Sequence, residues 1–270
     1  MTGIDAQLVV ELLALGSVTG FLAGLLGIGG GMLMVPFMTL VLTDKGMPPQ
    51  HVVKMAIATS LATICFTSVS SVRSHHQRGA VRWDIVRLLA PGIVLGSLAG
   101  AQIARALPTA VLTLLFALFI AFSGTQMLLD RKPRATRHLP HGAGMFAVGV
   151  GIGVLAALVG AGGGFVSVPF MTWCNVPIHN AVATSAAIGF PIALAGTVGY
   201  IVAGWNLDVP HGAIGFIYVP ALLTIAAASV LTAPVGARMA HRLDMRQLKR
   251  VFAVLLYALA GYMLWKGLTA

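Results

Sequence analysis

The charges of this 270-residue chain fall in short clusters, separated by apolar runs of roughly 20 residues, the length a helix needs to cross the hydrocarbon core of a bilayer. No water satisfies backbone polar groups there, so such runs must be helical. The alternation of a β-barrel is absent. Only 9% of the residues are charged, 58% are hydrophobic and the mean hydropathy is +0.92. A soluble domain carries about a quarter of its residues as charges, so this chain cannot cover itself in water. Its partner is the lipid bilayer. The net charge of +10 does not point to nucleic acid, because basic loops are general in membrane proteins and no basic stretch here is interleaved with aromatics. Cys65 and Cys174 lie within or at the end of apolar runs and offer neither a disulfide framework nor metal-ligand spacing. The N-terminus lacks a basic leader region, which predicts an uncleaved first helix.

The chain repeats itself. Gly20 to Thr39 reads GFLAGLLGIGGGMLMVPFMT and Gly153 to Thr172 reads GVLAALVGAGGGFVSVPFMT, with 13 of 20 positions identical and no gap. Ala56-Ile57-Ala58-Thr59-Ser60 returns as Ala181-Val182-Ala183-Thr184-Ser185, and Gly100-Ala101 with Ala104 returns as Gly236-Ala237 with Ala240. Three echoes in the same order mark a duplication. Residues 1–130 form the first membrane repeat, 131–141 a basic cytoplasmic linker and 142–270 the second repeat.

Each repeat holds five apolar segments, at 7–26, 31–43, 55–72, 85–105 and 109–129, and at 143–159, 164–175, 180–203, 212–235 and 247–267. The second of each five is only about a dozen residues long, short for a span; it either crosses with distortion or re-enters. Lys and Arg set the orientation. Arg73, Arg78, Arg82 and Arg87 flank one loop, Arg131, Lys132, Arg134 and Arg137 fill the centre, and Arg238, Arg242, Arg246, Lys249 and Arg250 mark a third. All three fall on one face, the cytoplasmic one, so both termini lie outside. Equivalent loops of the two repeats carry opposite bias, as halves inserted upside down would. The fold class expected is therefore all-α: a polytopic membrane protein of two inverted-topology repeats, with roughly eight to ten transmembrane helices. Trp83, Trp173, Trp205 and Trp265 fall near segment ends, where the interface favours them.

Gly27, Gly29, Gly30 and Gly31 match Gly160, Gly162, Gly163 and Gly164, and each cluster precedes a short segment carrying a proline, Pro36 or Pro169. Clustered glycine opposes helix and favours an unwound chain. A helix restarting after such a break offers free amides and the positive end of its dipole to an anion, and paired broken helices meet at the substrate site of inverted-repeat transporters. Close packing through small residues is the competing explanation. The dinucleotide fingerprint is excluded, since no strand precedes the glycines and no acidic ribose ligand follows. Thr59, Ser60, Thr184 and Ser185 can donate to an anion's oxygens, although such hydroxyls often bond their own helix. Asn175, His179, Asn180 and Lys54 are weaker candidates, Lys54 as an attractor at the mouth. Gly92, Gly96 and Gly100, like Gly16, Gly20 and Gly24, read as close-packing faces, internal or between subunits of a homo-oligomer. His75 and His76 read as solvated. Glu11 and Asp208 are not centred in spans, so the carboxylates that usually couple Na⁺ or H⁺ are missing. No catalytic set, cofactor motif or metal cluster is present, which argues against an enzyme.

The duplicated G-x-GGG-x3-P-F motif, each copy followed by A-x-A-T-S, resembles the TauE/SafE family of membrane transporters, also called the toluene-sulfonate uptake permease family. The resemblance covers almost the whole chain and maps family motifs onto Gly27 to Pro36, Gly160 to Pro169, Ala56 to Ser60 and Ala181 to Ser185. It implies secondary transport of a sulfur-containing anion such as sulfite, a sulfonate or sulfoacetate. An anion channel of the same fold is the alternative.

Overall fold

The computed structural model describes residues 6–26, 31–129, 138–207, 212–239 and 245–269. Among the described residues ten helices follow one another: α1 (Ala6–Leu26), α2 (Gly31–Asp44), α3 (Pro49–Gln77), α4 (Trp83–Ala106), α5 (Thr109–Leu129), α6 (Ala143–Val159), α7 (Gly164–Trp173), α8 (Ile178–Gly204), α9 (Val219–Met239) and α10 (Met245–Thr269). A two-stranded antiparallel hairpin, β1 (Ala213–Ile214) and β2 (Ile217–Tyr218), precedes α9. Seven of the helices are long and apolar enough to cross a membrane, and Gly31–Asp44 and Ala143–Val159 are shorter apolar helices. The protein is an all-α, multi-pass membrane protein. The exposed Trp83, Trp173, Trp205 and Trp265 stand at or near helix ends.

Segment 212–235 is corrected by the structure. Its first residues form the hairpin, and the helix begins only at Val219. Gly215 turns the chain at φ +57°, and its backbone lies directly on Gly204 and Ile201 at the end of α8. Non-helical backbone at membrane depth is tolerated where protein covers it, and Phe216, Ile217 and Tyr218 are all buried. The third helices start earlier than hydropathy alone placed them, at residues 49 and 178. Each is led in by a proline at its N-cap, Pro48 or Pro177, in an extended conformation that cannot continue a preceding helix.

The packing is duplicated residue by residue. α4 lies along α6, and α9 lies along α1. A side chain on Gly149 of α6 would strike Leu89, Gly92 and Ile93 of α4; one on Gly16 of α1 would strike Ile225 and Ala228 of α9. Farther along, Gly153 faces Ile93, Gly96 and Ser97, while Gly20 faces Ser229 and Thr232. Small residues let these backbones touch, so both glycine faces are internal seams. Ser229 donates to the Gly16 carbonyl at 2.9 Å across one of them. α5 pairs with α10 antiparallel: Gly124 faces Ala253 to Tyr257, and Gly267 faces Ala110 and Leu114. α3 and α8 pack on each other at the centre, and α3 is buried on every side from Val52 to Ile64.

Candidate functional site

The break between α6 and α7 is built from left-handed glycines. Gly160 (φ +67°) ends α6, and its amide and that of Ala161 both turn back to the Ala156 carbonyl. Gly163 (φ +76°) starts α7 without a side-chain cap, its carbonyl accepting from Val166 and Ser167. Residues with a Cβ resist this conformation, which is why the cluster interrupts the helix here. The carbonyl of Ala157, left over at the helix end, accepts from the buried Tyr200 hydroxyl at 3.0 Å. Pro169 lacks an amide, so the Phe165 carbonyl also loses its helical partner. The α7 N-terminus therefore faces the break without a side-chain cap, the Val166 and Ser167 amides being taken by the Gly163 carbonyl.

The two glycine motifs meet. A Cβ on Gly31, the first residue of α2, would collide with the Gly160 carbonyl and come within 3.2 Å of Ala161. One on Gly160 would meet Val35 of α2 and Ile57 of α3. Ser60 of α3 donates across to the Gly160 carbonyl at 2.8 Å. Gly162 is different: half-buried, it has side-chain space before it, with only Ile64 near, at 3.8 Å. Opposite stands Gly189 of α8, which would meet only the Gly162 carbonyl, at 3.5 Å. Ile64 and Gly189 occupy the same position in the two repeats, so a bulky wall on one side faces an open one on the other. Gly164 opens α7, and Ser167 on its first turn donates to Ser185 of α8 at 2.8 Å. Gly27, Gly29 and Gly30 lie outside the described residues, as do Arg131, Lys132, Arg134, Arg137 and Asp208. None of the groups named around the break is charged.

The remaining candidates are spread out. Thr59 accepts from the backbone amide of Tyr218 at 3.1 Å, and Thr184 accepts from that of Arg82 at 3.0 Å. Both threonines are fully buried. Asn180 donates to the Ala80 carbonyl at 2.8 Å. Lys54 is not at an open mouth: 8% exposed, it donates to the Arg105 carbonyl at 2.9 Å, where a cation offsets the negative end of α4. Asn175 takes a positive φ of 65° after α7, a helix-terminating role, and His179 is exposed. His76 accepts from the Trp83 indole at 3.1 Å. Pro36 is buried inside α2. Ser167, Gly189 and Tyr200 escaped the sequence reading. Ser167 replaces Met34 and Gly189 replaces Ile64 in the repeat, so the motif match itself hid both; only a position-by-position comparison of the copies would have exposed them.

Residues 12–263 match the protein family described as sulfite exporter TauE/SafE. The chain is 35% identical over 257 residues to a probable membrane transporter protein of Haemophilus influenzae, covering 94% of this chain and 97% of that one. It is 25% identical to a probable membrane transporter protein of Methanocaldococcus jannaschii, covering 94% of each. A relative from Xylella fastidiosa with the same description is 28% identical over 97% of both chains. No solved structure matches the chain. With the glycine break between α6 and α7 meeting the start of α2 inside a multi-pass helical body, and a family match over nearly its full length, the chain belongs to the TauE/SafE family of membrane transporters.

Proposed function

We propose that this transporter moves a small sulfur-containing anion, such as sulfite, a sulfonate or sulfoacetate, across the cytoplasmic membrane, and holds it where the two glycine motifs meet. The observation that carries this is the contact of Gly31 with Gly160 and Ala161 beside the open face of Gly162. The uncapped N-terminus of α7 and the Ser60, Ser167 and Ser185 hydroxyls that bond beside the break suit an oxyanion. A charge-assisted hydrogen bond contributes about 1.5–3 kcal/mol, so several together offset much of the dehydration of such an ion. The repeats 1–130 and 142–270 are read as inverted copies with both termini outside. The exchanged seams and the antiparallel α5 and α10 support that arrangement.

The test is flux in proteoliposomes. Saturable uptake of one of sulfite, thiosulfate or an organosulfonate, competed by its congeners and not by chloride, is expected. Uptake that never saturates and shows no counterflow would favour the channel reading. Saturable transport of an unrelated solute alone would refute the sulfur-anion assignment.

A further inference from the structure

Two backbone straps lead into α4 and α9, and the repeat motif grips each of them. One is residues 79–82, between α3 and α4; the other is residues 212–218, ahead of α9. Arg82 directly precedes α4, and Tyr218 directly precedes α9. The amide of Tyr218 is held by Thr59 in the first repeat, and the amide of Arg82 by Thr184 in the second. The same motif threonine therefore grips the same backbone position in each copy, always in the opposite half. Further contacts dock each strap: Ala80 to Asn180, and Phe216 against Tyr200 and His51.

The neighbouring motif residue faces the break. Ser60 donates to the Gly160 carbonyl, and Ser185 accepts from Ser167 at the start of α7. One Thr-Ser dipeptide thus touches the break with its serine and a strap with its threonine. A shift of α3 or α8 that follows occupation of the break must move the strap bond on that helix too. Each bond is a single hydroxyl contact to a neutral amide, weak enough to be exchanged. The Thr59 bond is buried and the Thr184 bond is part-buried, so loss of either deprives its amide of a partner unless the strap lifts to meet water.

We infer that Thr59 and Thr184 are paired gate latches, one towards each face of the membrane, and that transport releases them one at a time. In the structure both are closed. The identity of the faces rests on the inverted arrangement proposed above, with α3 running from outside to inside, so Thr59 latches the outer strap and Thr184 the inner one.

Cys65 tests this. It is half-buried at the contact of α3 with α8, 3.7 Å from Thr197, between the two latches. In a Cys174→Ser background, its reaction with a membrane-impermeant thiol reagent is measured in right-side-out and inside-out vesicles. Thr59→Val should speed labelling from outside by about fivefold or more, and Thr184→Val from inside by a similar factor, the shift expected for one intramolecular hydrogen bond. Thr59→Ser and Thr184→Ser, which keep the hydroxyl, should label as the parent does. Arg82→Pro removes the donor instead of the acceptor at a residue whose φ of −87° lies near proline's, and should act as Thr184→Val does; it stands in if the valine variants fail to insert. Opposite shifts with the two sides exchanged would uphold the latches and overturn the orientation. Labelling that is unchanged, or that rises from the same side in both variants, overturns the latches.

Discussion

At the scale of single residues, neighbouring glycines of one motif carry different burdens. Gly163 combines a left-handed φ of +76° with close contact to Ile192, so any side chain there is strained and obstructed together. A loss of function on its replacement says nothing about substrate. Gly162 has neither constraint, and a methyl group would meet only Ile64 at van der Waals distance. Gly162→Ala should therefore insert and melt as the parent does. Its methyl would occupy the space beside the α7 amides, and transport should fall by tenfold or more, on the order of 1.4 kcal/mol in binding. Detergent-phase melting and liposome flux on the same preparation check both halves of that expectation. Undiminished flux would remove Gly162 from the site. Lys54 shows the reverse case: a charge that the sequence places at a mouth is spent inside the protein on the end of α4.

At the scale of elements, the seams between α4 and α6 and between α1 and α9 are one interface made twice. Gly149 and Gly16 sit at equivalent places in them, each against a backbone carbonyl, of Leu89 or Ile225. A valine at either position forces the helices apart, and overpacking of this kind costs about 1–3 kcal/mol. Gly149→Val and Gly16→Val should lower the melting temperature in detergent by comparable amounts. Gly151, which has open space around it, should accept valine with little change. If Gly16→Val were silent while Gly149→Val unfolded the protein, the two seams would not be energetically equivalent.

At the scale of the whole molecule, the proposal of inverted halves rests on an odd number of segments in each repeat and on opposite loop charge. The antiparallel pairing of α5 with α10 is what a two-fold axis in the membrane plane requires of a helix and its own copy. A reporter active only in the cytoplasm should be silent at the C-terminus and active when inserted near Arg134. The converse pattern would reverse the orientation and leave the pairing of the helices untouched.

Sequence alone determined that this chain spans a membrane, that its motifs are duplicated and that a glycine cluster interrupts the helix between α6 and α7. Those properties follow from local composition and spacing: a bilayer admits few structures for apolar runs, and clustered glycine unwinds helix wherever it stands. It did not determine which partners the motif side chains find. Thr59 and Ser60 are adjacent and alike in chemistry, yet one meets Tyr218 and the other Gly160, distances of 159 and 100 residues along the chain. Such pairings depend on how the two halves are laid against each other. The hairpin before α9 was hidden for the same reason, since apolar residues covered by protein and apolar residues facing lipid look alike until the tertiary structure decides which they are.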